Sequence, residues 1–295
     1  MTDTLIRVDN ITRDLDQFRV GPVSFEMEPG LVYAVVGSNG SGKTTLFRML
    51  MGLVHPASGA IDRFGGPLSV DDLNQSQRIA YVPEALVGHD SWTVQQLNEL
   101  SRRVYPQFDL RALQEYQRGI DLYKPFTKLS KGTQRRAMLA IAMASGTDVL
   151  LLDEPTDGID PFARQDVLHQ LSQWMESENR TLLMATHNLE DVRRIADVVI
   201  VLENGEHIGT WNKDELMEGW QRLWLATEPP RALPHEEYRA HGAGVEIVTS
   251  NQAATNLELQ DLGIEILNSQ QVDMVEALRI VIQKRGGRAS PDLTK

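Results

Sequence analysis

The run Gly37-Ser38-Asn39-Gly40-Ser41-Gly42-Lys43-Thr44 constrains this chain more than any other segment. It matches the phosphate-loop pattern G-x-x-x-x-G-K-[ST] at every position. The apolar run Leu31 to Val36 precedes it and reads as a buried strand. Thr45-Leu46-Phe47-Arg48-Met49-Leu50 follows with helical character, and Gly52 supplies a stop. Anion binding needs this order. Glycines let successive backbone N–H groups turn toward one anion, and the helix N-terminus adds the positive end of its dipole. Lys43 then reaches the β- and γ-phosphates, the Thr44 hydroxyl ligates Mg²⁺, and Thr45 completes the binding run that begins at Gly37. A Gly-Ser-rich surface turn is the competing reading, but it leaves the flanking strand and helix without a reason. The expectation is a nucleoside triphosphate site.

Composition narrows the setting. A chain of 295 residues suits one large domain, or one of about 200 residues with a smaller one. With 41% hydrophobic residues it can build a core. The formal charge of −12 argues against nucleic-acid or anionic-membrane binding through bulk charge. Absence of cysteine excludes disulfides, zinc–thiolate sites and thiol nucleophiles. Met1-Thr2-Asp3-Thr4-Leu5 has no charged n-region and no apolar h-region, so no secretory signal is expected. No apolar run approaches the ~18–20 residues needed to span a bilayer. A cytosolic location is expected, with any membrane segment supplied by another chain.

Along the chain, short β-like runs occupy Leu5 to about Phe64, among them Ile6-Arg7-Val8 and Val23-Ser24-Phe25-Glu26-Met27. Ile79 to about Thr127 turns mostly helical, with helices over Thr93 to Val104 and Leu110 to Arg118. Beyond Leu129, helices (Ala137 to Ala144, Ala163 to Met175) alternate with strands (Val149 to Leu152, Leu182 to Ala185, Val198 to Leu202). Such alternation implies an α/β fold with a parallel sheet covered by helices.

Val149-Leu150-Leu151-Leu152-Asp153-Glu154-Pro155-Thr156 places two carboxylates at the tip of a doubly buried strand. In open parallel sheets the ligand crevice lies at that end. Asp153 would hold Mg²⁺, directly or through water, and Glu154 would orient or deprotonate an attacking water. Taken alone, the pair also fits a solvated acidic turn. Next comes Lys128-Leu129-Ser130-Lys131-Gly132-Thr133-Gln134-Arg135-Arg136, where Ser130 reads as the N-cap of an Ala- and Met-rich helix. Its basic residues Lys128, Lys131, Arg135 and Arg136 read first as a solvated helix face and second as a phosphate-attracting cluster. His187, after an apolar strand and Thr186, reads as a structural histidine in isolation. One strand beyond Glu154, it can instead donate to a γ-phosphate oxygen.

The order of these segments resembles an ATP-binding subunit of an ABC transporter, over Leu5 to about Glu218. Leu129-Ser130-Lys131-Gly132-Thr133 is similar to the family's LSGGQ signature, keeping Ser130 and Gly132 and departing at Lys131 and Thr133. Asp157-Gly158-Ile159-Asp160 resembles the D-loop, which adds Asp160 to the nucleotide-binding set. His187 resembles the switch histidine. Glu84, in Tyr81-Val82-Pro83-Glu84, falls where the family usually has the Q-loop glutamine; it can still ligate Mg²⁺ or a water, but adds negative charge beside the phosphates. Where the family stacks an aromatic on adenine, this chain has Leu15, with Phe18 shortly after. Either the base rests on Leu15 or Phe18 serves in a shifted register, and selectivity for ATP over GTP stays open.

The resemblance implies a P-loop NTPase cassette over residues 1–218: a mostly parallel core sheet, an N-terminal antiparallel β subdomain and a helical subdomain over about 85–145. It also implies two cassettes facing head to tail, each ATP between the phosphate loop of one and the Ser130 helix of the other. The pair would be a homodimer or include a similar ATPase subunit. ATP-driven closure would power export through a separately encoded membrane permease, on the cytoplasmic face of the cell membrane. Family members meet such partners within Ala85 to about Phe126, where Leu86, Val87, Trp92, Tyr105 and Phe108 look exposed, although some of them must be core and the sequence does not sort them. A soluble ABC ATPase acting on ribosomes or DNA is the alternative.

Residues 219–286 read as a small α+β extension, similar to those of exporter ATPases. It has strands at Arg222 to Leu225, Val245 to Val248 and Ile264 to Leu267, and helices near Ala253 to Leu262 and Val272 to Lys284. The polar residues 287–295 read as a disordered tail.

Overall fold

Apolar runs with no polar alternation build the sheet on which the phosphate loop stands. The computed structural model describes residues 4–15, 18–85, 92–177, 179–241 and 244–286, in two compact units, residues 1–207 and 208–295. Strands β3 (Val32–Val36), β7 (Val149–Asp153) and β8 (Thr181–Thr186) are buried at every residue. That is the pattern of parallel strands covered on both faces. With β6 (Ile79–Val82), β9 (Val198–Glu203) and β10 (Glu206–Asn212) they form a sheet of order β10-β9-β3-β8-β7-β6. All pairs from β9 to β6 are parallel. Asn204 and Gly205 turn β9 into β10 with φ of 49° and 83°, the left-handed pair that a tight hairpin demands.

Register brings the chemistry level. Val36 lies opposite Thr186 and Asp153 opposite Ala185, so the segments after β3, β7 and β8 emerge side by side at the C-terminal edge. A second, antiparallel sheet has order β2-β1-β4-β5, from β1 (Ile6–Asp14), β2 (Arg19–Met27), β4 (Ser58–Arg63) and β5 (Gly66–Pro67). Its inward residues Ile6, Val8, Ile11, Val23 and Met27 join one core with Leu46, Phe47 and Leu50 of α1 (Lys43–Leu50). The short α2 (Leu73–Ser76) follows.

Caps set the other helix starts. Thr93 forms a capping box with Gln96 at α3 (Val94–Val104), and Asp109 caps α4 (Leu110–Tyr116). Ser130 caps α5 (Lys131–Ala144), as read from sequence. Asp160 caps α6 (Pro161–Trp174) and Asn188 caps α7 (Leu189–Ile195). Between Ala85 and Phe126 the structure sorts the apolar residues that the sequence leaves unsorted. Trp92, Tyr105 and Phe108 are half-buried, and Phe108 packs with Leu113 and Ile141 against α5. Among the described residues, the exposed large apolar side chains there are Leu100, Val104, Leu110 and Tyr123. Leu86 and Val87 lie outside the described residues.

The second unit is an antiparallel sheet of order β12-β13-β11-β14, comprising β11 (Gln221–Leu225), β12 (Glu236–His241), β13 (Val245–Thr249) and β14 (Ile266–Gln271). Helices α8 (Lys213–Glu218), α9 (Gln252–Asp261) and α10 (Met274–Gly286) accompany it. The strand expected at Ile264 to Leu267 starts at Ile266, because the Ile264 N–H is still bonded to the Leu259 carbonyl in the turn after α9. β12, Glu-Glu-Tyr-Arg-Ala-His, carries no apolar alternation and is not legible from periodicity. The tail expected at residues 287–295 lies outside the described residues.

Candidate active site

The loop after β3 is shaped by contacts that only glycine permits. A Cβ on Gly37 would lie 1.9 Å from the Leu202 carbonyl oxygen, so the loop runs hard against β9. Gly40 and Gly42 have φ of 82° and 103°, which turn the backbone N–H groups inward. Ser38 is tied to the tip of β9: its N–H and its hydroxyl donate to the two Glu203 carboxylate oxygens at 3.2 and 3.0 Å. Glu203 had no signal in the sequence beyond ending an apolar strand. Lys43, nearly buried, donates to the Gly37 and Ser38 carbonyls at 2.9 and 3.1 Å, and its Nζ lies 3.8 Å from a Glu154 oxygen.

Loop, strand tips and β1–β2 connection together line one cavity of about 640 Å³. Asn39, Gly40, Gly42, Lys43, Thr44 and Thr45 form one wall, and Glu84, Asp153, Glu154, Asp157 and His187 another. Leu15 and Phe18 both border it. Leu15 is exposed, whereas Phe18 packs against the β-subdomain core. Gly37, Ser38 and Ser41 support the loop from behind and are not part of this lining. Ser130, Gly132 and Asp160 are not part of it either. Ser130 is exposed, its Oγ accepting from the Thr133 N–H at 3.1 Å, and a Cβ on Gly132 would sit 3.0 Å from the Gly158 carbonyl oxygen. Asp160 spends one carboxylate oxygen on the Phe162 and Ala163 N–H groups.

Asp153 is fully buried and, among the described residues, neither carboxylate oxygen has a hydrogen-bond partner of good geometry. Burial raises its pKa above the usual carboxylate range; the Thr44 hydroxyl opposes this, Glu84 and Glu154 add to it, and Lys43 counters. A buried acid with free lone pairs, beside a threonine hydroxyl, is the donor set that a hard cation takes up. Among the described residues no three His, Cys, Asp or Glu side chains converge as a metal cage. Mg²⁺ does not need one, since nucleotide sites bind it through one or two carboxylates plus phosphates. The residues fit the ion.

Glu154 adopts φ of 50°, a left-handed conformation that costs a non-glycine residue roughly 1–3 kcal/mol and collects at functional sites. Its own N–H donates to the Ala185 carbonyl at 2.8 Å, pinning the turn to β8. One Glu154 oxygen faces Lys43; the other lies 3.0 Å from His187 Nδ1 and 3.4 Å from the His187 backbone N. Behind this pair stands a network with no sequence signal. Buried Asp191 accepts from the Thr156 hydroxyl at 2.5 Å and from Arg164 Nε at 2.8 Å. It joins the turn after Glu154, the helix after Asp160 and the helix after His187.

The basic segment at the start of α5 requires a correction. Lys128 and Lys131 are exposed, as expected of a solvated face, but Arg135 is 5% exposed and turned inward. Its Nη1 donates to the Pro83 carbonyl at 2.6 Å and reaches the Asp153 carbonyl at 3.4 Å, while Nη2 donates to the Glu84 carbonyl. The residue sits five positions after Ser130, where α5 passes beneath the strand tips, so helix phase and not charge decides its burial.

A crevice that can seat phosphates, a cation and a water-orienting carboxylate, on a parallel sheet beside an antiparallel one, defines a nucleotide hydrolase of the P-loop type. The family pattern described as ABC transporter matches residues 20–157. The chain is 28% identical over 293 residues to ABC transporter ATP-binding protein YtrB of Bacillus subtilis (strain 168), covering 96% of this chain and 99% of that one. It is 32% identical over 235 residues to Nod factor export ATP-binding protein I of Burkholderia orbicola (strain AU 1054), covering 75% and 76%. A solved ATP-binding subunit of an ABC transporter superposes with a TM-score of 0.65 at 25% identity, covering 72% of this chain and 92% of that one. The chain belongs to the ATP-binding subunits of ABC transporters, has their cassette fold, and is an ATPase.

Gly37→Ala is expected to force the loop off β9, cost ~1–3 kcal/mol as overpacking does, and lower ATP affinity at least tenfold. Gly65→Ala, in the turn between β4 and β5 with open space around it, should lower stability only and leave ATP affinity unchanged. Urea unfolding and nucleotide titration of both variants check this; unchanged affinity in Gly37→Ala would contradict the loop geometry.

Proposed function

We propose that this chain is the ATP-hydrolysing subunit of an exporter whose membrane path is a separate permease. In this reading residues 1–218 act as the cassette, with residues 85–145 as its helical subdomain and residues 219–286 as an accessory extension. One observation carries the proposal: Lys43, Asp153, Glu154 and His187 converge on one cavity while Ser130 and Gly132 stand outside it. A second cassette, identical or similar, can bring its own Ser130 helix over the phosphates, with Asp160 beside the shared interface. Closure by ATP and release by hydrolysis then supply motion to the permease. Among the described residues no helix is long and apolar enough to cross a membrane; in this reading the permease supplies the membrane path and the chain docks on it at the cytoplasmic face of the cell membrane. A relative named for Nod factor export supports the direction of transport.

The proposed chemistry follows from the chain's own groups. Backbone N–H groups from Gly37 to Thr45 and the α1 N-terminus bind the triphosphate, and Lys43 leaves its loop carbonyls for the β- and γ-phosphates. Thr44 and Asp153, with Glu84 directly or through water, would hold Mg²⁺, which would supply charge neutralisation to the triphosphate. Glu154, fixed between Lys43 and His187, accepts a proton from the attacking water or orients it. His187 holds Glu154 and donates toward the γ-phosphate. Leu15 supports the purine by aliphatic contact.

Two measurements test this. Glu154→Gln is expected to bind Mg-ATP but hydrolyse it at least ~100-fold more slowly, and to run as a dimer in ATP by light scattering. Hydrolysis at the wild-type rate would remove Glu154 from the role, and a monomer with bound ATP would remove the shared site. For the base, Leu15→Tyr is expected to tighten ATP binding several-fold, since an exposed aromatic contact is worth roughly 1 kcal/mol. Phe18→Ala should change it little. A tenfold loss in Phe18→Ala with no gain in Leu15→Tyr would make Phe18 the platform, and GTP titrations of the same variants read purine selectivity.

A further inference from the structure

Arg135 lies behind the acidic wall of the cavity, not in it. Its guanidinium bridges the loop after β6, through the Pro83 and Glu84 carbonyls, and the last residue of β7, through the Asp153 carbonyl. The backbones that carry Glu84 and Asp153 are therefore held to one rigid planar group, and both residues belong to the cavity lining. Charge is the second observation. Four carboxylates line the cavity (Glu84, Asp153, Glu154 and Asp157), and Lys43 is the single Lys or Arg among the lining residues described. A triphosphate adds several more negative charges. Screening is weak in a buried setting, so a fixed cation directly behind the wall acts on all of them.

We propose that Arg135 is a positioning residue that sets the spacing of Glu84 and Asp153 through their backbone carbonyls and offsets the charge of Glu84 beside the phosphates. A guanidinium does not give up its proton in a protein, so Arg135 brings a fixed positive charge to within hydrogen-bond reach of the Glu84 and Asp153 backbones. A lysine would keep the charge but lacks the fork that reaches carbonyls of two elements at once. A glutamine would keep some hydrogen bonding and lose the charge. The two parts of the role are thereby separable.

The inference rests on the proposed placement of phosphates and Mg²⁺ beside Asp153 and Glu84. The test is ATP binding to the full chain, by displacement of a fluorescent ATP analogue, in excess Mg²⁺ and in EDTA. Arg135→Gln is expected to weaken metal-free ATP binding about tenfold and Mg-ATP binding no more than about threefold, because the cation takes over part of the offset. Adding Glu84→Gln should recover most of the metal-free loss. Arg135→Lys should keep the wild-type ratio between the two conditions, with a lower unfolding temperature.

Equal losses under both conditions, or a loss that Glu84→Gln does not relieve, would reduce Arg135 to a packing role and overturn the proposal. If Arg135→Gln alone fails to fold, the Glu84→Gln/Arg135→Gln pair should fold and bind metal-free ATP; its failure to fold would overturn the charge offset. Glu84→Gln in the wild-type background separates the underlying reading. No change in either affinity would displace Glu84 from the phosphates, whereas a change that persists equally with and without Arg135 would overturn only the coupling.

Discussion

An ionisable carboxylate at zero exposure, whose oxygens find no hydrogen-bond partner of good geometry among the described residues, is the constraint around which the site is arranged. Burying such a group is costly unless something pairs with it. Asp153 ends a strand of four apolar residues, and its depth is inherited from that strand and from the helices covering both faces of the sheet. The Thr44 hydroxyl and Lys43 ease the penalty, and Arg135 supports the same residue through its carbonyl. What remains unsatisfied is acceptor capacity aimed at the phosphate loop. A fold that keeps this acid in place is preorganised for a cation in company with phosphate.

Around that acid, order is imposed by backbone and by buried pairs more than by the side chains named for chemistry. Glu154 takes a strained left-handed turn, yet its N–H is anchored on β8 and its two oxygens face Lys43 and His187. Asp191, Thr156 and Arg164 lock the segments on either side. Ser38 and Glu203 do the same for the phosphate loop. In the proposed cycle, a displacement of the Asp157–Asp160 segment by a second cassette would be felt at His187 through α6 and Asp191. The proposed catalytic pair is thus set by β8 and by two helices, α6 and α7, each capped at its start.

Much of this was legible in the sequence because apolar runs and glycine spacing report backbone demands directly. The strands before Gly37, Asp153 and Thr186, and the Ser130 cap, follow from periodicity and capping chemistry. Arg135 was not legible, since a basic residue in a basic cluster is ordinarily solvated, and its burial depends on where α5 crosses the strand tips. Exposure across residues 92–126 is not sortable from sequence for a related reason: Tyr105 and Phe108 find partners on distant elements, β6 and α5, that local pattern cannot supply. Glu203 and Asp191 look like ordinary surface acids until tertiary contacts assign them. β12 escaped notice because a strand facing its sheet with charged and aromatic residues has no alternation to read.

The most direct test of this account is binding of Mn²⁺, a paramagnetic stand-in for Mg²⁺, to the ATP-loaded chain by electron paramagnetic resonance. Wild-type protein should hold one Mn²⁺ per bound ATP, and Asp153→Asn should weaken the ion at least ~10-fold while the protein stays folded and ATP still binds, because the phosphates remain on the loop. Unchanged Mn²⁺ affinity in Asp153→Asn would contradict the view that the buried carboxylate exists to meet a cation.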